Sequence, residues 1–195
     1  MRLPGSEKVI VGYDLGNKYA QISCYVTGSE EEIRTLSSVA GSSVYTIPLA
    51  LSKRQGVNQW FYGSEAIRYA GEEEGILVEN LLKLARDGEP VQIDGAPIDP
   101  VALLTLFLKR SLGLLSQVTN TERIGALMIT CEELDHRMLE VLTAATEGLH
   151  LKTRAFITII CTSRRNCGGI RRYYANMEML PYVPTAWNAT GIPHL

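Results

Sequence analysis

Residues 9–25 read Val9-Ile10-Val11-Gly12-Tyr13-Asp14-Leu15-Gly16-Asn17-Lys18-Tyr19-Ala20-Gln21-Ile22-Ser23-Cys24-Tyr25. An apolar run ends at Asp-Leu-Gly, and an alternating run starts directly after it. Two strands joined by a tight polar turn are the arrangement this pattern permits. Val9 to Val11 lack the alternation of a half-solvated strand and predict a central one. Tyr19, Ile22 and Tyr25, with polar neighbours, predict an adjoining strand with one covered face. Gly16 permits a positive φ in the turn, and the N–H groups of Gly16, Asn17 and Lys18 can be directed at an anion. Asp14 at the strand end suits a hydrated magnesium ion, which takes few carboxylates and keeps much of its water, and Lys18 suits a phosphate as a point charge. The alternative is an ordinary hairpin whose Asp caps its own turn.

Further along, Asp99-Pro100 marks a helix start, because the carboxylate caps and Pro loses nothing at the first helical position. Val101, Leu104, Leu108, Leu112 and Leu115 recur at helical spacing after it. A second helix is predicted from Leu134 to Glu147, with Met138, Val141 and Leu142 on its buried face and Gly148 as its C-terminal cap. Leu149 to Ile160 then reads as a strand. Strand, helix and strand in that order require a crossover, and hence a partly parallel sheet. Glu72-Glu73-Glu74-Gly75 and Asp87-Gly88-Glu89-Pro90 are surface turns. No boundary divides the first 157 residues.

Three segments in this order resemble the actin-like ATPase superfamily, most closely its DnaK-type heat-shock chaperone branch. The first is Gly12-Tyr13-Asp14-Leu15-Gly16-Asn17-Lys18-Tyr19. The second is Tyr45-Thr46-Ile47-Pro48-Leu49-Ala50-Leu51 followed by Phe61-Tyr62-Gly63-Ser64-Glu65-Ala66-Ile67-Arg68-Tyr69-Ala70. The third is Ile124-Gly125-Ala126-Leu127-Met128-Ile129-Thr130-Cys131 with the helix after it. The resemblance covers roughly the first 157 residues and implies an α/β, ribonuclease H-like lobe: a mixed sheet flanked by helices over 1–160, with an irregular tail over 161–195. It implies ATP or ADP and magnesium as ligands, with Asp14 organising the metal and Gly16, Asn17 and Lys18 cradling phosphates. Lys83 and Glu132 or Glu133 are nearest to that branch's catalytic lysine and acid, although Glu132 and Glu133 equally suit the first turn of a helix. Asn17 and Lys18 replace the chaperones' hydroxyl residues.

The family's second phosphate motif and its adenosine Gly-Gly motif have no counterpart here, and neither Ala40-Gly41 nor Gly168-Gly169 lies between a strand and a helix. Hydrolysis needs water, metal and several phosphate clamps positioned together, so this lobe alone is expected to be a poor ATPase. It reads as one lobe of a larger, truncated nucleotide-binding protein, with a second lobe or a protein partner. Two rival readings are a non-catalytic interaction scaffold and a ribonuclease-H-like enzyme with Asp14 as metal ligand. The latter needs further acids at strand ends, and Asp94 and Asp135 occupy turn and helix positions.

A chain of 195 residues that is 46% hydrophobic can build a sizeable core. Its net charge of −2 gives no reason to expect nucleic acid. Apolar stretches stop short of a membrane span, and the amino terminus lacks a secretory pattern. Cys24, Cys131, Cys161 and Cys167 show no metal-ligand spacing, so the expected compartment is a reducing cytoplasm. From Cys161 periodicity ceases: Arg164, Arg165, Arg171 and Arg172 cluster beside tyrosines, and Pro181, Pro184, Trp187 and Pro193 follow. The cluster could serve as a nucleic-acid or acidic-partner patch, but with no groove or recognition element around it a solvated or poorly ordered tail is the expected reading. Codon degeneracy over Thr158–Gly168 also lets a neighbouring frame encode a Tyr-rich segment that continues the sheet. On that reading the tail is out of frame.

Overall fold

A computed structural model describes residues 8–28, 30, 32–72, 75–119, 123–151, 156–161 and 173–175. The arginine cluster, the prolines of the tail and Cys167 lie outside the described residues. The elements are β1 (Val9–Leu15), β2 (Tyr19–Val26), β3 (Arg34–Thr35), β4 (Ile47–Pro48), β5 (Leu51–Arg54), β6 (Trp60–Tyr62), α1 (Gly63–Glu72), β7 (Gly75–Val78), α2 (Leu81–Asp87), β8 (Val91–Ile93), β9 (Ala96–Ile98), α3 (Pro100–Leu112), β10 (Ile124–Cys131), α4 (His136–Glu147), β11 (Phe156–Cys161) and β12 (Tyr173–Ala175). A 3-10 turn over Gly113–Gln117 extends α3.

The main sheet is mixed, in the order β12-β11-β10-β1-β2-β3, with β4 pairing the start of β2. Strands β1, β10 and β11 are parallel, whereas β2, β3 and β12 run antiparallel to their neighbours. The connection from β10 to β11 crosses over through α4, as parallel pairing demands. Two smaller units complete the fold: the sheet β6-β5-β7 and the hairpin β8-β9. That hairpin turns on Asp94 (φ 54°) and Gly95 (φ 76°), the two left-handed residues that match strand twist. Lys53 Nζ and the Gly56 N–H both donate to Asp94 Oδ2, at 2.6 and 2.9 Å, and tie the hairpin tip to the β5–β6 turn. Lys53 and that N–H hold the Asp94 carboxyl below its ordinary range.

β1 is central, yet its burial alternates. Val9, Val11, Tyr13 and Leu15 are buried, whereas Ile10 and Asp14 are exposed. Position within a sheet fixes a strand's neighbours, not whether both faces are covered. Among the described residues the helices pack on one face only. On β2 the covered set is Ala20, Ile22 and Cys24; Tyr19 is 55% exposed, which places the aromatic expected to be covered at the strand's solvated start. Tyr13 reaches through the core to α3, where its hydroxyl lies 2.7 Å from Ser111 Oγ. Ser111 in turn donates to the Leu108 carbonyl at 3.1 Å.

Asp99 caps α3 as expected, accepting from the Val101 N–H at 2.9 Å with Pro100 in the first position. The buried face is wider than the periodic leucines indicate, because Leu103 and Phe107 share it, while Val101 is only partly buried. α4 starts two residues later than the sequence suggests. Asp135 accepts from the Met138 N–H at 2.8 Å and fixes the helix start at His136, leaving Leu134 ahead of it. Gly148 caps its end. Of the strand expected over 149–160, residues 149–151 are not strand and the described part is β11, Phe156–Cys161.

Candidate functional site

Strands β1 and β10 end side by side, with Asp14 opposite Thr130 and Leu15 opposite Cys131. From here the chain departs in two ways: β1 turns back through Gly16–Lys18 into β2, and β10 leads through Glu132–Asp135 into α4. Divergent connections at the carboxyl ends of adjacent parallel strands leave a crevice where open α/β sheets bind ligands.

The turn differs in one respect from expectation. Gly16 does not adopt a positive φ. Its N–H donates to the Tyr19 carbonyl at 3.0 Å, and a Cβ at Gly16 would sit 3.0 Å from that same oxygen. A side chain there would require the Tyr19 carbonyl to give by a few tenths of an ångström, so close approach, not a positive φ, favours glycine. The Gly16 N–H is therefore committed within the turn, while among the described residues the N–H groups of Asn17 and Lys18 have no partner. The Lys18 carbonyl accepts from the Leu49 N–H at 2.8 Å, which pins the turn from outside. Both side chains are exposed.

Asp14 Oδ1 accepts from Thr130 Oγ1 at 2.6 Å. The carboxylate thus braces β1 against β10 and does not cap its own turn. It lies on the uncovered face of the sheet, as the strand alternation requires. No group of three His, Cys, Asp or Glu side chains able to hold a metal occurs among the described residues. One carboxylate with an unengaged oxygen fits magnesium, provided phosphate and water supply the remaining ligands.

On the helix side lies a cleft of about 210 Å³ bordered by Asn17, Lys83, Arg86, Glu132, Glu133 and Met138. The fold thus brings together Asn17, Lys83, Glu132 and Glu133, which are far apart in sequence. Asn17 Nδ2 donates to Glu132 Oε2 at 3.1 Å, linking the turn to the β10–α4 loop. Arg86 pairs with Glu133 at 3.1 Å and also with Asp135. Glu132 and Glu133 are loop residues, not first-turn acids, because the Asp135 cap displaces the helix beyond them. Asp14 does not border this cleft. Asp94, at the β8–β9 tip, and Asp135, paired with Arg86, supply no second carboxylate beside Asp14.

Cys131, which also borders the cleft, is buried and its thiol is pushed up to about 11, by desolvation first and by the Asp14 charge second. Its Sγ lies 3.4 Å from the Glu133 carbonyl. Arg86 and Thr130 are the site residues that sequence reasoning missed. The i+3 spacing from Lys83 to Arg86 placed the arginine on the same helix face, but the Thr130 partnership depends on the β1–β10 register.

No helix among the described residues is long and apolar enough to cross a membrane. No curated protein matches the chain. A family described as "Family of unknown function (DUF5716) C-terminal" matches residues 32–168, a span that contains the cleft residues from Lys83 to Met138 and begins after the Asp14 turn. That span is well over half of the sequence, and the chain therefore belongs to the DUF5716 C-terminal family.

Proposed function

We propose that this chain is a nucleotide-binding lobe with the ribonuclease H-like fold of the actin-like and DnaK-like ATPases, weakly active or inactive without a second lobe. The observation that carries the reading is the turn at the carboxyl ends of β1 and β10, a five-residue stretch that holds Asp14, with one carboxylate oxygen engaged by Thr130, and Asn17 and Lys18, whose N–H groups have no partner among the described residues. Backbone N–H groups in such a turn bind phosphate oxygens, and the lysine adds a point charge. Asn17 and Lys18 take the phosphates, Gly16 allows the tight approach, and Asp14 takes magnesium through water. Ile10 and Met128, 37% and 40% exposed on the uncovered face beside Asp14, suit a second lobe or a protein partner. The buried cysteines Cys24 and Cys131 suit a reducing cytoplasm.

A scaffold without nucleotide chemistry is the second reading. It is favoured by the helix-side cleft, where Arg86 is neutralised by Glu133 and Asp135 and where Asn17 is occupied by Glu132. Calorimetric titration with magnesium-ATP and with ADP, repeated on Asp14→Ala, separates the two. Saturable binding lost in the variant supports the nucleotide lobe. No heat at millimolar nucleotide, with the chain folded, supports the scaffold.

A further inference from the structure

At the far end of α3 lies an open groove of about 650 Å³, bordered by Tyr62, Leu106, Lys109, Arg110, Leu114 and Ser116. Leu106, Lys109, Arg110 and Gly113 lie three or four residues apart and so share one helix face. The 3-10 turn then carries Leu114, Ser116 and Gln117 around the end of it. Gln117 Nε2 donates to the Ser37 carbonyl at 2.9 Å, fixing the turn to the loop after β3. None of the residues of the Asp14 turn borders this groove.

Its donors are unspent. Among the described residues Lys109 and Arg110 have no ion-pair partner, and the hydroxyls of Tyr62 and Ser116 have no hydrogen-bond partner. The nearby anion is Glu65. Its charge raises the Tyr62 hydroxyl, after desolvation, against the opposing charge of Arg110, and Glu65 is itself drawn to Arg68 at 3.9 Å. Two cations at a helix C-terminus stabilise the helix dipole, which accounts for their sign. It does not account for the two hydroxyl-bearing side chains that border the same groove together with Leu106 and Leu114.

We infer that this groove binds a phosphoryl dianion, through Lys109, Arg110 and the hydroxyls of Tyr62 and Ser116. A carboxylate brings one charge to the two cations of this groove. A phosphate monoester carries up to two charges near neutral pH and three terminal oxygens, and Arg suits its geometry. The leucine wall and the Tyr62 ring favour an ester with an apolar body over the free ion.

The test titrates the full chain with phenyl phosphate and, separately, with inorganic phosphate, following amide shifts. The proteins compared are wild type, Lys109→Gln, Arg110→Gln and Asp14→Ala, each with its thermal midpoint measured to verify folding. The expected result is saturable binding weakened about tenfold by each groove substitution, the loss of one charge-assisted hydrogen bond, and unchanged in Asp14→Ala. Tighter binding of phenyl phosphate identifies an ester as the ligand, and equal binding identifies the free ion. Failure of both probes to saturate at millimolar concentration overturns the inference. So does binding, read at the amides that border the groove, that survives both groove substitutions or is lost in Asp14→Ala, and that last result would assign the phosphate to the β1–β2 turn instead.

Discussion

Tyr13 and Ser111 form a buried pair whose two halves should fail unequally. Ser111 has one hydroxyl proton and directs it to the Leu108 carbonyl at 3.1 Å, so across the 2.7 Å contact Tyr13 is the donor. Tyr13→Phe deletes that donor and leaves Ser111 still bonded to Leu108, a loss of about 1 kcal/mol, the net contribution of an ordinary hydrogen bond. Ser111→Ala strands the tyrosine hydroxyl in a site where Tyr13 is 1% exposed, and a buried unsatisfied donor costs about 1–3 kcal/mol. The double variant removes both polar atoms, so its cost should lie close to that of Tyr13→Phe alone. Urea unfolding followed by circular dichroism measures all four proteins. With a slope of about 2 kcal/mol/M, a loss of about 1 kcal/mol moves the midpoint by roughly 0.5 M. Additive costs in the double variant, or a smaller cost for Ser111→Ala than for Tyr13→Phe, would refute the assignment of donor and acceptor.

Burial also holds the Tyr13 hydroxyl well above its ordinary value of 10.0. The unfolded tyrosine ionises first, so stability is intact below about pH 10 and falls above it by up to about 1.4 kcal/mol per pH unit, a slope that Tyr13→Phe should reduce. Asp94 has the opposite sign. Its stabilisation is present above the unfolded carboxylate range and is lost as pH falls through its lowered folded value, so Asp94→Asn, which keeps a left-handed residue in the turn, should flatten the acid limb of the stability curve. Ser52 is fully buried, and among the described residues its hydroxyl has no hydrogen-bond partner. Ser52→Ala should therefore be neutral or stabilising by about 1 kcal/mol in the same unfolding assay, and a loss larger than that would reveal a partner for the hydroxyl. Cys131, with its thiol raised to about 11, should react slowly with iodoacetamide at neutral pH in the native chain and quickly in urea, as peptide mass mapping would register.

What could be read in advance follows from how local each signal is. The β1–turn–β2 hairpin, the Asp99 cap and the crossover through α4 rest on neighbouring residues, and they stand where the sequence places them. The start of α4 moved because Asp135 and Glu133 are both plausible acids near a helix start, and only cap geometry chooses between them. One-sided burial of β1 was not legible, since the apolar residues Val9, Ile10 and Val11 do not specify which face the helices cover. At the site, Asp14, Asn17 and Lys18 were visible as a turn. Their partners Thr130 and Glu132 lie more than 110 residues away and follow from the register of β1 with β10. Lys83 approaches the turn through α2, a placement that no spacing in the sequence encodes.

The nucleotide reading rests on the amides of the turn, and they can be observed directly. Amide chemical shifts of the nitrogen-labelled full chain would be recorded during titration with magnesium-ADP. The account predicts saturable shifts centred on Asn17 and Lys18, with little change at Gly16, whose N–H is already held by Tyr19, and their loss in Asp14→Ala. Shifts absent from the turn of a folded chain at millimolar magnesium-ADP would contradict it.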